Sequence, residues 1–156
     1  LSNLLTRGTT SRLYRTLVKK QKIAASIEAF KDYPGNRYNP MFILSATPRH
    51  PYGNARVLDA IDDELARLGK EPITDWEVEK VRSSAEMELL SLLQTNGGMA
   101  DLLVYAQTIF GDWRYILEYQ KQMNAITGAD IQDLARRLLT RTHRSVAFLE
   151  PLGKKR

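Results

Sequence analysis

Hydrophobic positions along this chain follow two periods, and the places where the period changes mark its elements. Leu13, Tyr14 and Leu17 stand at helical spacing behind Thr10 and Ser11, either of which can cap a helix running to Lys20. Cations crowd its last turn, which suits the negative end of the helix dipole. Alternation takes over in residues 23–30, predicting a strand with Ile23, Ala25, Ile27 and Ala29 on one face. Residues 31–40 read as a loop around Pro34-Gly35-Asn36. Residues 41–47 are almost continuously apolar and predict a second strand, ended by Pro48, so that the two strands form an antiparallel hairpin.

The helical period returns at Val57, Leu58, Ile61, Leu65 and Leu68, with Gly69 expected as a left-handed stop. Thr74-Asp75-Trp76-Glu77 has the spacing of a capping box and opens a long helix carrying Val78, Val81, Ala85, Leu89, Leu92 and Leu93. Asn96-Gly97-Gly98 interrupts it. Two glycines cost about 2 kcal/mol in a helix interior, so a kink or break is expected there. Helix resumes from Met99 to Phe110. Gly111-Asp112 resets the chain, with Asp112 capping a helix through Met123. Thr127 starts a last helix with Ile131, Leu134, Ala135 and Leu138 as its stripe, and residues 145–149 predict a third strand closed by Pro151.

The predicted order is α-β-β-α-α-α-α-α-β. That places an α+β two-layer sandwich, a mostly antiparallel sheet with helices on one face, as the expected fold. Its expected core includes Ile27, Ile43, Leu65, Leu89, Leu134 and Phe148. The 156 residues are expected to form a single domain. A strand ahead of Leu1 would complete the sheet, so a chain cut short at its N-terminus is expected.

Composition narrows the chemistry. No apolar run reaches the roughly 18 residues of a membrane span. With no cysteine, disulfides, thiol nucleophiles and thiolate metal sites are excluded together. The net charge of +5 gathers in three places: Arg12, Arg15, Lys19, Lys20 and Lys22; Arg136, Arg137, Arg141 and Arg144; and the tail Lys154-Lys155-Arg156. A basic nucleic-acid-binding domain is one reading of that charge. Solvated helix faces are the favoured one, because no aromatic or Gly-rich RNA motif accompanies it.

The two histidines, His50 and His143, each lack a second His or a Glu at helical spacing, so metal ligation has no support. Asp62, Asp63 and Glu64 read as a solvent face. Ser11, Ser26 and Ser45 have no base in pattern, and no nucleophile elbow, P-loop or dinucleotide fingerprint occurs. Trp76, Trp113, Tyr105, Tyr115 and Tyr119 are expected to pack between helices. On this reading the chain has no catalytic residue and no metal ligand.

A series of motifs in one order carries a resemblance. Gly8-Thr9-Thr10-Ser11-Arg12-Leu13-Tyr14, Ile23-Ala24-Ala25-Ser26 and Ala46-Thr47-Pro48 resemble the opening of the second domain of the pitrilysin and mitochondrial-processing-peptidase family of zinc metallopeptidases. The stretches 60–68, 74–81, 111–115 and 126–131 resemble its later helices. The resemblance spans essentially the whole chain. It implies the non-catalytic C-terminal half of a two-domain subunit that helps form a substrate chamber for peptides. Zinc would sit in the N-terminal catalytic half of the same polypeptide, on an inverted His-x-x-Glu-His motif that this chain lacks. A second subunit, in a homo- or heterodimer, is a further implied partner. Some second halves supply an Arg and a Tyr to the chamber. Those positions fall on Val18 and Ala25, whose side chains cannot hold a peptide carbonyl, so the pair is expected on the partner subunit. The alternative within the family is a structural core-type subunit without peptidase activity.

Overall fold

A computed structural model of the chain describes residues 1–36 and 39–150, the side chain of Asp32 excepted. Its elements are α1 (Ser2–Thr6), a π-helical segment (Tyr14–Lys20), β1 (Ala24–Tyr33), β2 (Met41–Pro48), α2 (Asn54–Lys70), α3 (Asp75–Leu93), α4 (Asn96–Phe110), α5 (Tyr115–Ala125), α6 (Gly128–Leu138) and a single 3-10 turn (Arg141–His143). The class is α+β, but helix dominates. The sheet among the described residues is one antiparallel pair, β1 with β2, not the larger antiparallel sheet expected from sequence.

The difference lies at the C-terminal end. Residues 145–149, apolar from Val146 on, are strand-like in composition yet make no ladder hydrogen bonds. Side chains of α2 hold this stretch instead: Asp62 binds Arg141 and Arg144, and Asn54 Nδ2 donates to the Leu149 carbonyl at 3.2 Å. Phe148, expected in the core, is 53% exposed as a result. Ile27 is buried, while Ile43, Leu65, Leu89 and Leu134 are half-buried. The expected closure by Pro151 and the tail Lys154-Lys155-Arg156 lie outside the described residues.

The first residues form α1, which places Leu4 and Leu5 in the core against β1. The expected capping of the next helix by Thr10 or Ser11 does not occur. Ser11 is buried and its hydroxyl donates back to the Gly8 carbonyl at 2.7 Å. The helix that starts at Arg12 then widens: the Gln21 amide reaches the Thr16 carbonyl at 2.9 Å, five residues back, which defines a π turn. Leu13 and Leu17 on its inner side are fully buried, each contributing about 2 kcal/mol by removal from water.

The hairpin is built as its alternation suggests, with one exception. Ile27 faces Ala46 and Ala29 faces Leu44 across the pair, but Ala24 pairs with Pro48 and Ser26 with Thr47. Ala25 is therefore an extra residue, a β-bulge. It reverses the alternation at its own position. Ala24 and Ile27 are both buried, and Ala25, expected inward with Ile23 and Ile27, is exposed.

α2 buries Val57, Ala60, Ile61 and Leu68 and continues through Gly69, which adopts no left-handed conformation. Its last carbonyls are covered by α6: Gln132 Nε2 donates to those of Leu68 (3.1 Å) and Glu71 (2.7 Å), and Arg136 Nε to that of Gly69 (2.7 Å). The capping box at α3 is present in both directions, Thr74 Oγ1 receiving the Glu77 amide and Glu77 receiving the Thr74 amide.

α3 stops at Leu93, just ahead of the glycines. Thr95 caps α4 by accepting the Gly98 amide at 3.0 Å, so Gly97 and Gly98 form the first turn of α4 and are not themselves the break. Gly98 is required there, because a Cβ would run into the Leu92 carbonyl oxygen. Gly111 ends α4 in the left-handed conformation (φ 79°). Asp112 then accepts the Arg114 amide (2.9 Å), and α5 starts at Tyr115. α4 and α5 stand outside the main core, with Ala106 as the one buried residue of α4 and none in α5.

Candidate functional site

Three elements meet where the chain enters the sheet: the π-helical segment, β1 and the end of β2. Lys22 makes the corner with φ 55°, a left-handed conformation that L side chains rarely adopt. The Ile23 carbonyl then accepts the Arg49 amide at 2.8 Å, bringing the residue after β2 against the start of β1. Neither the left-handed corner nor the position of Arg49 is encoded in a local pattern that sequence reading could use.

The two positions that the resemblance marks lie on this corner but in opposite environments. Val18 is buried with Leu17 on the inner side of the π segment. Ala25 is exposed, turned outward by its bulge. Beyond it the outward face of the hairpin carries Ser26, Thr47, Glu28 and Ser45, all exposed, and then Phe30 and Ile43.

Of the first basic group, Arg12 has a different role from the rest. It is buried, and it clamps Glu77 through Nε (2.7 Å) and Nη2 (2.8 Å). The same Glu77 completes the capping box. The Arg12 guanidinium, with the Thr74 amide and hydroxyl behind it, holds the Glu77 carboxyl down at about 2, against the opposing effect of burial. Arg15, Lys19, Lys20 and Lys22 are exposed.

The acidic run also divides. Only Asp63 faces solvent as expected. Glu64 is buried, accepting from Thr16 Oγ1 (3.2 Å) and Arg67 Nη1 (3.1 Å). Asp62 receives both Arg141 and Arg144, and the Arg144 bond leads the causes that lower its carboxyl from the ordinary range. Asp62 and Glu64 read as a surface from sequence because Thr16, Arg141 and Arg144, at least 48 positions away, cannot be seen locally.

Of the aromatic residues expected between helices, the two tryptophans are exposed instead. Trp76 is 60% exposed beside Lys80, and Trp113 lies under Arg114. Tyr105, Phe110 and Tyr115 pack on one another at the α4–α5 corner.

His50 and His143 are each exposed, and among the described residues no group of three or more His, Cys, Asp or Glu is placed to hold a metal ion. Ser11 is tied to Gly8, and Ser26 and Ser45 lie on the open sheet face. Among the described residues no helix is long and apolar enough to cross a membrane.

A fold of this kind, a helical layer on a short hairpin, has known counterparts. The family described as the peptidase M16 inactive domain matches residues 1–85. The chain belongs to this family and is a C-terminal, non-catalytic M16-type domain. A search of curated proteins gave no match. Among solved structures, the inactive peptidase domain of a presumptive zinc protease from Bordetella parapertussis superposes with a TM-score of 0.81 at 20% identity, over 99% of this chain and 82% of that one. A presumptive zinc protease from Bordetella pertussis Tohama I gives 0.78 at 21% identity, over 92% and 77%. A protease from Helicobacter pylori gives 0.80 at 22% identity over 91% of this chain, which spans about a third (34%) of that longer chain.

Proposed function

We propose that this chain is the non-catalytic half of a zinc-dependent peptidase and helps wall a chamber that receives extended peptides. The 156 residues act as one domain in this reading, joined to an N-terminal half that carries the zinc. The observation that carries it is the match to the inactive-domain family over residues 1–85, the stretch that contains the π segment, the hairpin and the bulge. The outward turn of Ala25 supports the chamber role, since it leaves a strand surface without bulky side chains for a peptide to approach. With Val18 in the core and Ala25 reduced to a methyl group, the polar pair that grips substrate in some relatives is assigned to a second subunit. A structural core-type subunit is the competing reading.

The test is a peptidase assay on three samples: this chain, the full-length subunit, and that subunit mixed with its partner subunit. Zinc-dependent cleavage is expected only when the zinc-bearing half is present, and in full only with the partner. Metal analysis after dialysis should find no stoichiometric zinc on this chain. Cleavage by this chain alone overturns the reading. Absence of cleavage in every sample favours the core-type subunit.

A further inference from the structure

We propose that the corner between the π-helical segment and the hairpin is a docking surface for acidic stretches of peptide. The choice of a peptide over another polyanion rests on the chamber reading above. Arg15, Lys19, Lys20, Lys22 and Arg49 are all exposed, and among the described residues none of them has an ion-pair partner. Several cations elsewhere in the chain are neutralised: Arg7 by Glu88, Arg12 by Glu77, Arg67 by Glu64 and Glu71, Arg141 and Arg144 by Asp62.

The backbone gathers the free charges. Arg15 and Lys19 stand about one turn apart on the π segment, and Lys20 follows. Lys22 is fixed at the corner by its left-handed turn, and the bond from the Arg49 amide to the Ile23 carbonyl brings in the fifth cation from the far side. The charge extends toward α3. Burial foremost, with Arg15 adding its repulsion, lowers the Lys80 ammonium from its ordinary pKa against the pull of Glu77. The carboxylates of Glu64 and Glu77 are hydrogen-bonded to Thr16, Arg67, Arg12 and Thr74 and form no ion pair with the corner cations.

The floor beside this rim is made by Ala25, Ser26 and Thr47, small exposed residues at the bulge. An extended chain can lie close over them while its carboxylates reach the ammonium and guanidinium groups. Glu28 stands further along the same outward face. The favourable field is therefore confined to the bulge end, and acidic residues are read at one end of a bound peptide.

Fluorescence anisotropy with short labelled peptides tests this: an alternating Glu/Ser sequence, its Gln/Ser and Lys/Ser counterparts, and a single-stranded oligonucleotide of matched charge. The acidic peptide is expected to bind about tenfold or more tighter than the neutral one and to weaken steeply at about 0.5 M salt. Lys19→Gln with Lys22→Gln and Arg49→Gln should remove that preference, as should Lys19→Gln with Arg49→Gln, which leaves the backbone corner unaltered. Arg136→Gln with Arg137→Gln, on α6, should retain it. Equal binding of acidic and neutral peptides, or an unchanged preference in the corner variants, overturns the proposal. An oligonucleotide bound more tightly than the acidic peptide overturns it in favour of nucleic acid. Acid-selective binding with no cleavage in the peptidase assay sinks the peptidase reading alone, and cleavage without acid selectivity sinks the corner alone.

Discussion

Arg12 and Glu77, 65 positions apart, meet in a two-pronged ion pair with only 7% and 14% of their side chains exposed. This pair joins the start of the π segment to the first turn of α3 and so fixes two layers at one point. Arg12→Ala should cost about 3 to 5 kcal/mol, because it strands a buried carboxylate. Arg12→Lys should recover little, since an ammonium cannot reproduce the planar fork. Urea denaturation monitored by circular dichroism measures both.

The pair also sets an acid response. Glu77 is held at about 2, below its ordinary 4.5, so its contribution is fully present above the ordinary value and is lost as pH falls toward 2. Relative to Glu77→Gln, the wild-type chain should lose about 2 to 3 kcal/mol of stability between pH 5 and pH 2. Equal slopes for the two proteins across that window would show that the pair does not govern it.

Neighbouring glycines should respond in opposite ways. Gly98→Ala places a methyl group against the Leu92 carbonyl and should destabilise by about 1 to 3 kcal/mol. Gly97→Ala meets nothing within 4 Å and should stabilise by up to about 1 kcal/mol through helix propensity. Thermal melts of the two variants provide the comparison.

Val18 and Ala25 should tolerate substitution unequally. Val18→Arg forces an unpaired guanidinium into the core and should cost at least about 3 kcal/mol. Ala25→Tyr projects to solvent from the bulge and should stay within about 0.5 kcal/mol. Neither change, nor both together, should give this chain peptidase activity.

Much of this architecture was readable wherever a local rule decides. The Thr74–Glu77 capping box, the hairpin, and the helical stripes at Val57–Ile61 and Ile131–Ala135 all follow from spacing within a few residues. The break near the glycines was visible but displaced, because Thr95 is the better cap and takes the boundary. Features set by distant partners were hidden. The bulge that turns Ala25 outward depends on how β1 registers against β2, and a single extra residue defeats an alternation rule. Glu64 and Asp62 looked like a wet face until Thr16 and Arg144 were brought to them by the fold. The cationic corner was hidden in the same way, because it required the Arg49–Ile23 contact to be seen.

The side chains of Gln132 and Arg136 have a kinetic meaning beyond their bonds. Three carbonyls at the end of α2, those of Leu68, Gly69 and Glu71, receive hydrogen bonds from α6, more than 60 residues later in the chain. Until α6 docks, the last turn of α2 has to take its partners from water, and it frays as any uncapped end does. The hairpin and the first turns of α2 can form from local contacts, but the final turn waits for a loop of that length to close. Amide exchange at the end of α2 should therefore report the docking of α6, and its protection should rise and fall with α6 as one cooperative unit.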